Sequence, residues 1–314
     1  MNRRSFIKTS IAIAAAAIGP SKILRAEPSK RKMTIDLVCG GLGIRATLPE
    51  AVALAHRHRF ESVAPDIGYL RGLSDDALEE FVADLHAKGL VWGAAGLPVE
   101  FRRDERAFEE DMKRLPDACR ALQRAGVTRI GTWLSPMHSE LTFLKNFKQH
   151  ARRLRAAVRV MNDHGLRFGM EYVGTKMLWT SQKFPFIHTM AETKELIAEI
   201  GESNVGLVLD SWHWSMARET EADLLSLKNS DVVAVDLNDA PRGVPLEKQV
   251  DGNRELPAAT GVLDMDTFVN ALAKIGYDGP VRAEPFNQTL RQLPADEAAA
   301  VTAKAIRKTF ALIR

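Results

Sequence analysis

Cysteine is nearly absent from this chain of 314 residues. Cys39 and Cys119 are the only two, too few for the disulfide framework that holds small secreted domains together. Cys39 closes an early strand-like run and Cys119 falls in a helical one, so both are expected to pack as small apolar groups. A P-loop and a serine-hydrolase elbow are also missing, which removes two common routes to catalysis. The apolar run Ile11 to Ile18 is too short to span a bilayer, which takes about 20 residues. No low-complexity linker divides the chain, and no excess charge of either sign marks it, with 43 basic against 40 acidic side chains.

The small basic excess belongs to the first residues. Arg3, Arg4 and Lys8 are followed by the apolar run, then Pro20, with a cleavage point expected after Ala26. This three-part layout is that of an export signal. Asn2-Arg3-Arg4-Ser5-Phe6-Ile7-Lys8 resembles the twin-arginine type, whose machinery carries folded proteins, so the chain is expected to be periplasmic or otherwise exported. Without residues 1–26 and their five basic side chains, 38 basic and 40 acidic residues remain, a net charge of −2. Phosphate binding needs a basic face, so no nucleic-acid partner is expected. Residues 27–314 suffice for one large α/β domain, and they contain no expected membrane span. Homo-oligomerisation is left open.

Along those residues the hydrophobic period alternates between short apolar runs and longer amphipathic segments. Strands are expected at 34–39, 61–65, 90–95, 128–133, 166–172, 204–210, 231–237 and 280–284. Helices are expected at 48–59, 75–88, 104–125, 142–164, 188–200, 219–229, 265–275 and 295–312. Thr47-Leu48-Pro49-Glu50 forms a capping box with proline in the first turn. Gly89, Gly126, Gly165, Gly201 and Gly276 stand where helices should stop. Eight alternations predict a single (β/α)8 TIM barrel. The stretch Asn238 to Gly261 reads as a loop inserted on the catalytic face. Gly41-Leu42-Gly43-Ile44-Arg45-Ala46 follows a strand, but the helix starts only at Thr47, so the segment is no dinucleotide fingerprint.

Four carboxylates recur at one place in this repeat: Glu171 in FGMEYVG, Asp210 in VGLVLDSWH, Asp236 in VVAVDLND and Glu284 in PVRAEPFN. A carboxylate at the inner end of a buried strand is unfavourable unless something pairs with it. Four of them converging at the carboxyl face of one barrel suit a divalent cation. Trp133 at the end of the fourth strand is a candidate for stacking on a sugar face, and Lys176 after the fifth for reaching a hydroxyl.

At these residues the chain resembles the sugar phosphate isomerase/epimerase family of xylose isomerase-like barrels. The resemblance rests on Glu171, Asp210-Ser211-Trp212-His213, Leu237-Asn238-Asp239, Arg254-Glu255-Leu256-Pro257 with Gly261, and Glu284-Pro285. In that family a Glu, an Asp, a His and a last Glu bind Mn2+, Mg2+, Co2+ or Zn2+, which maps here onto Glu171, Asp210, position 236 and Glu284. His213 and Arg254 map onto residues that contact substrate oxygens. This chain departs from the pattern in having Asp236 where the family has histidine, and four oxygen ligands favour Mn2+ or Mg2+ over Zn2+ or Co2+. The resemblance implies a metal-dependent isomerase or epimerase of a sugar or keto-sugar, with Glu171 and Glu284 as the acid/base pair of an enediolate mechanism. Lyase or hydrolase chemistry on 3-keto-glycosides is one alternative; a non-catalytic sugar-binding barrel with a degenerate metal site is the other. The fold also hosts an abasic-site endonuclease, which the charge of −2 disfavours.

Overall fold

The computed structural model describes residues 31–314, so the expected export signal at 1–26 lies outside the described residues. Its strands are β1 (Thr34–Leu37), β2 (Ser62–Val63), β3 (Val91–Trp92), β4 (Ala95–Gly96), β5 (Arg129–Trp133), β6 (Met137–His138), β7 (Arg167–Glu171), β8 (Phe184–Pro185), β9 (Val205–Asp210), β10 (Val232–Leu237) and β11 (Pro280–Ala283). All except β6 and β8 form one parallel sheet in the order β3-β2-β1-β11-β10-β9-β7-β5-β4. The two ends of that order, β3 and β4, are consecutive in the chain. They are two halves of one stave, broken around Gly93, and through them eight staves close into a ring. Gly93 stands at this break, where an added Cβ would come 2.4 Å from Oδ1 of Asp36 on β1, so the position has room only for glycine. The pair β6 and β8 makes a separate antiparallel ribbon on the catalytic side.

Long helices follow the staves at Leu48–Arg57, Asp75–Ala87, Glu105–Arg124, Phe143–Asp163, Met190–Ile200, Met265–Lys274 and Ala295–Phe310. The helix expected at 219–229 is shorter, Glu221–Leu225, and a 3-10 turn at Asn229–Asp231 leads into β10. Thr47 and Glu50 close the expected capping box, the Glu50 carboxylate accepting from the Thr47 backbone N–H at 2.7 Å. Gly201 ends its helix at φ 71°, and its N–H reaches the Ile197 carbonyl. Gly41 belongs to a 3-10 turn, Gly40–Leu42, that separates β1 from the first helix. Both cysteines are free, and Cys119 is buried.

Inside the ring the floor is made of small groups. Ala94, Val208 and Ala234 pack together. Gly131 and Gly169 stand next to Val208, whose Cγ2 would lie 3.2 Å and 2.9 Å from added Cβ atoms. Side chains on a strand repeat with period two. The residues two further along β5, β7, β9 and β10 therefore point into the same lumen, one layer nearer the catalytic face.

Candidate active site

That next layer is Trp133, Glu171, Asp210 and Asp236. Strand register sets them side by side: Trp133 is level with Glu171, Asp210 with Asp236, and Asp236 with Arg282 on β11. Glu284 follows immediately after β11. Asp210 and Asp236 are fully buried, and Glu171 is 7% exposed.

Asp210 is saturated with donors. Oδ1 accepts from the Trp212 N–H at 2.7 Å, Oδ2 from Arg254 Nη1 at 2.8 Å, and Asn238 Nδ2 reaches both oxygens. Asp236 is gripped by the Arg282 guanidinium, with Nη2 donating to Oδ2 at 2.9 Å and Nε donating to Oδ1. The glutamates differ. Glu171 Oε1 is buried with no hydrogen-bond partner among the described residues, and the nearest cation to Glu284 is Arg254, 3.6 Å from its Oε2.

The inserted loop supplies the cationic wall. Asp239 pins it by accepting from the backbone N–H groups of Thr260, Gly261 and Leu263 at 2.7–3.0 Å. Arg254, 1% exposed, spans Asp210 and Asp251, donating from Nη2 to Asp251 Oδ1 at 2.9 Å. His213 stands at their centre. Its Nδ1 lies 3.3 Å from the Gly174 N–H and its Nε2 3.3 Å from Arg254 Nη2. A neutral imidazole has one lone pair in the ring plane and can accept from only one of these donors.

Burial and the neighbouring charges of Asp236, Glu284 and Asp210 push the Glu171 carboxyl well above the usual carboxylate range. Burial and Asp236 push Glu284 up to about 7, against the pull of Arg282 and Arg254. Asp210 rises to about 6 by burial, opposed by Arg254. Burial, reinforced by Arg254, drives His213 down to about 3, so its ring is neutral. Burial disfavours the charge of Arg254, but Asp210 and Asp251 outweigh it and hold the guanidinium firmly protonated.

A cavity of about 340 Å³ opens over this layer, in the range for small-molecule sites. Glu171, Glu284, His213, Arg254, Asp251 and Trp133 line it, whereas Asp210 and Asp236 lie behind the wall. Trp133 is 48% exposed, and the Arg102 guanidinium stacks 4.6 Å from its ring centre. Phe286, also on the wall, stacks 4.8 Å from the Arg254 guanidinium and holds a left-handed φ of 43°. That conformation is strained for a phenylalanine and typical of functional sites.

A sequence profile of the xylose isomerase-like TIM barrel matches residues 52–309. The chain belongs to this family. Xylose isomerase-like relatives include an inosose isomerase of Halalkalibacterium halodurans, 25% identical over 235 residues that cover 73% of this chain and 78% of the relative. A xylose isomerase domain protein of Alicyclobacillus acidocaldarius has a solved structure that superposes with a TM-score of 0.78 at 30% identity, covering 89% of this chain and 99% of that one. The IOLI protein, solved with a bound zinc atom, shares the fold at TM-score 0.73 and 20% identity, covering 89% and 98%. As a member, this chain is an enzyme of the sugar isomerase/epimerase-like kind.

Of the residues singled out from the sequence, Glu171, Asp210, Asp236, His213, Arg254, Glu284 and Trp133 converge at one face. Ligand atoms of Glu171, Asp210 and His213 lie within 4.8 Å of one another, as do those of Glu171, Asp236 and Glu284. An orphaned Glu171 oxygen inside such a set is what a divalent ion would satisfy, and the donors fit one. Lys176 faces a neighbouring cavity with Trp179 and His188, on the other side of the short helix Lys176–Trp179. Sequence reasoning missed Arg282, Asp251 and Phe286, and it named Asn238 only within a motif, without a role. Arg282 carried a readable signal: it stands two residues before Glu284, so a strand turns both to the same side.

Proposed function

We propose that this chain is a divalent-metal-dependent isomerase or epimerase of a sugar or keto-sugar, with Glu171 and Glu284 exchanging the carbon-bound proton. The observation that carries this reading is the division among the four carboxylates: both aspartates are held by arginines behind the wall, and both glutamates face the cavity. Without an ion, burial and mutual repulsion raise the proton affinity of both carboxyls, and a bound ion would lower it, so each glutamate can give up and take a proton in turn. The ionised glutamate takes the proton from the carbon beside the carbonyl, and the bond's electrons move to the carbonyl oxygen. The protonated partner then delivers its proton to carbon, on the opposite face for an epimer. Arg254 and neutral His213 are placed to hydrogen-bond the substrate oxygens and the developing negative charge. Glu171, Asp210, Asp236 and Glu284 are the proposed ion ligands, and Mn2+ or Mg2+ suits their oxygens; bound there, the ion would polarise the carbonyl. Trp133 offers an exposed ring for stacking on the sugar.

The experiment is proton exchange. Candidate ketoses, aldoses and inososes are incubated with the protein and Mn2+ in D2O, and deuterium at carbon is followed by NMR. Glu171→Gln and Glu284→Gln should both abolish it, and full exchange in either variant would sink the pair. A second reading, lyase or hydrolase action on a 3-keto-glycoside, is favoured by the neighbouring cavity of about 340 Å³, which offers room for a leaving group. Release of the aglycone in the same assay distinguishes it. Sugar binding that survives chelation without turnover would instead mark a non-catalytic barrel. We also propose twin-arginine export, tested by fractionating cells that carry the chain with Arg3 and Arg4 intact or changed to Lys.

A further inference from the structure

The lumen holds a fixed cation on the ground where a metal ion is expected. Arg282 is level with Asp236 across the β10–β11 ladder, and its guanidinium meets the carboxylate with a two-point fork. Such a pair is strong and directional. Asp236 is fully buried, so water cannot compete for it. Asp36 on β1, 2% exposed and with neither carboxyl oxygen hydrogen-bonded among the described residues, feels the Arg282 charge as well. The side chain of Arg282 therefore lies among buried acids and has no reason to leave them. Glu171, by contrast, keeps a buried oxygen with no hydrogen-bond partner among the described residues.

We propose that Arg282 is a resident cation of the acid cluster, which holds Asp236 out of the divalent-ion site, so that an ion docks on the cavity-facing Glu171 and Glu284 and binds more tightly once Arg282 is removed. The inference rests on the proposed divalent-ion reading of the site and changes its ligand set. A carboxylate with both oxygens in a guanidinium fork can take an ion only by bringing two like charges together, which a buried site screens poorly. The Arg282 guanidinium also neutralises one of the acids that would attract the ion. Asp236 and Arg282 thus form a positioning pair, and Glu171 remains the ligand with nothing to displace.

The test is Mn2+ binding to the whole protein, read from the loss of the free-ion signal in electron paramagnetic resonance and from titration calorimetry. Arg282→Gln should raise Mn2+ affinity at least about ten-fold, because it frees Asp236 and removes the repulsion. Asp236→Asn in the otherwise unchanged chain should lower it by no more than about ten-fold, since one buried negative charge is lost but no ligand is. In the double variant Arg282→Gln/Asp236→Asn the gain should vanish. No gain in Arg282→Gln, a gain that persists in the double variant, or a loss above ten-fold in Asp236→Asn would each overturn the proposal. Should Arg282→Gln fail to fold by circular dichroism, the Asp236→Asn titration decides alone. Because the readout is ion affinity, it stands apart from the deuterium exchange: absent turnover would remove the isomerase reading and leave this result in place.

Discussion

Glu284→Gln should make the protein more stable at pH 8 while making it inactive. In the folded chain burial and Asp236 raise the Glu284 carboxyl from an ordinary 4.5 to about 7. Folding therefore favours its protonated form. The stabilisation from that proton is complete below pH 4.5 and is lost as pH rises through 7, where the folded protein must carry a partly desolvated charge among other acids that the unfolded chain carries in water. A shift of about 2.5 pH units corresponds to roughly 3 kcal/mol. Glutamine has the shape of the protonated acid and no charge to desolvate, so the variant escapes the penalty. Relative to the parent it should be unchanged near pH 4 and gain about 3 kcal/mol by pH 8, or about 6 °C in Tm for a domain of this size. The assay is urea denaturation followed by circular dichroism at several pH values with a chelator present, since a bound ion would itself stabilise the ionised form. Equal stability differences at pH 4.5 and pH 8 would refute the assignment of Glu284 as an acid with raised proton affinity. Loss of deuterium exchange with increased stability would also place Glu284 among residues kept for chemistry at the expense of the fold.

Other outcomes follow from the same geometry. Asp210→Ala leaves Arg254 and Asn238 without their buried acceptor and should lower stability by about 3–5 kcal/mol in urea titrations. Arg254→Lys keeps the charge but cannot span Asp210 and Asp251, so exchange should fall by about 100-fold with little change in fold. Gly169→Ala would drive a methyl to 2.8 Å from Val233 Cβ and 2.9 Å from Val208 Cγ2, a floor clash expected to lower stability by about 1–3 kcal/mol. Removing divalent ions with a chelator should slow exchange, and Mn2+ should restore it better than Zn2+.

Period and punctuation made much of this legible. Eight alternations of apolar run and amphipathic helix are the barrel, because each stave needs a helix to cover its outer face. Thr47 with Glu50, and Gly201 at its helix end, act through their own neighbours, so their signals survive without tertiary context. The four carboxylates could be placed at strand ends for the same reason, since period two is a property of the chain alone. The close approach of Asp36 to Gly93 in the split stave β3/β4 was not legible, because it comes from another strand. Lys176 looked equivalent to other residues following strands, but the turn of its short helix aims it at a different cavity.

The sequence by itself determined the fold class, the catalytic face and the four strand-end acids brought to it, all consequences of local periodicity. Only the tertiary structure decided what each acid does there. Whether a carboxylate meets a guanidinium or empty space depends on the register between strands and on a loop some forty residues distant. Asp210 and Asp236 took Arg254 and Arg282 as partners, and Glu171 and Glu284 were left to the cavity. Identical functional groups at equivalent positions along their strands thus became different in charge, exposure and role, because electrostatic environment belongs to the assembled lumen and to no single strand.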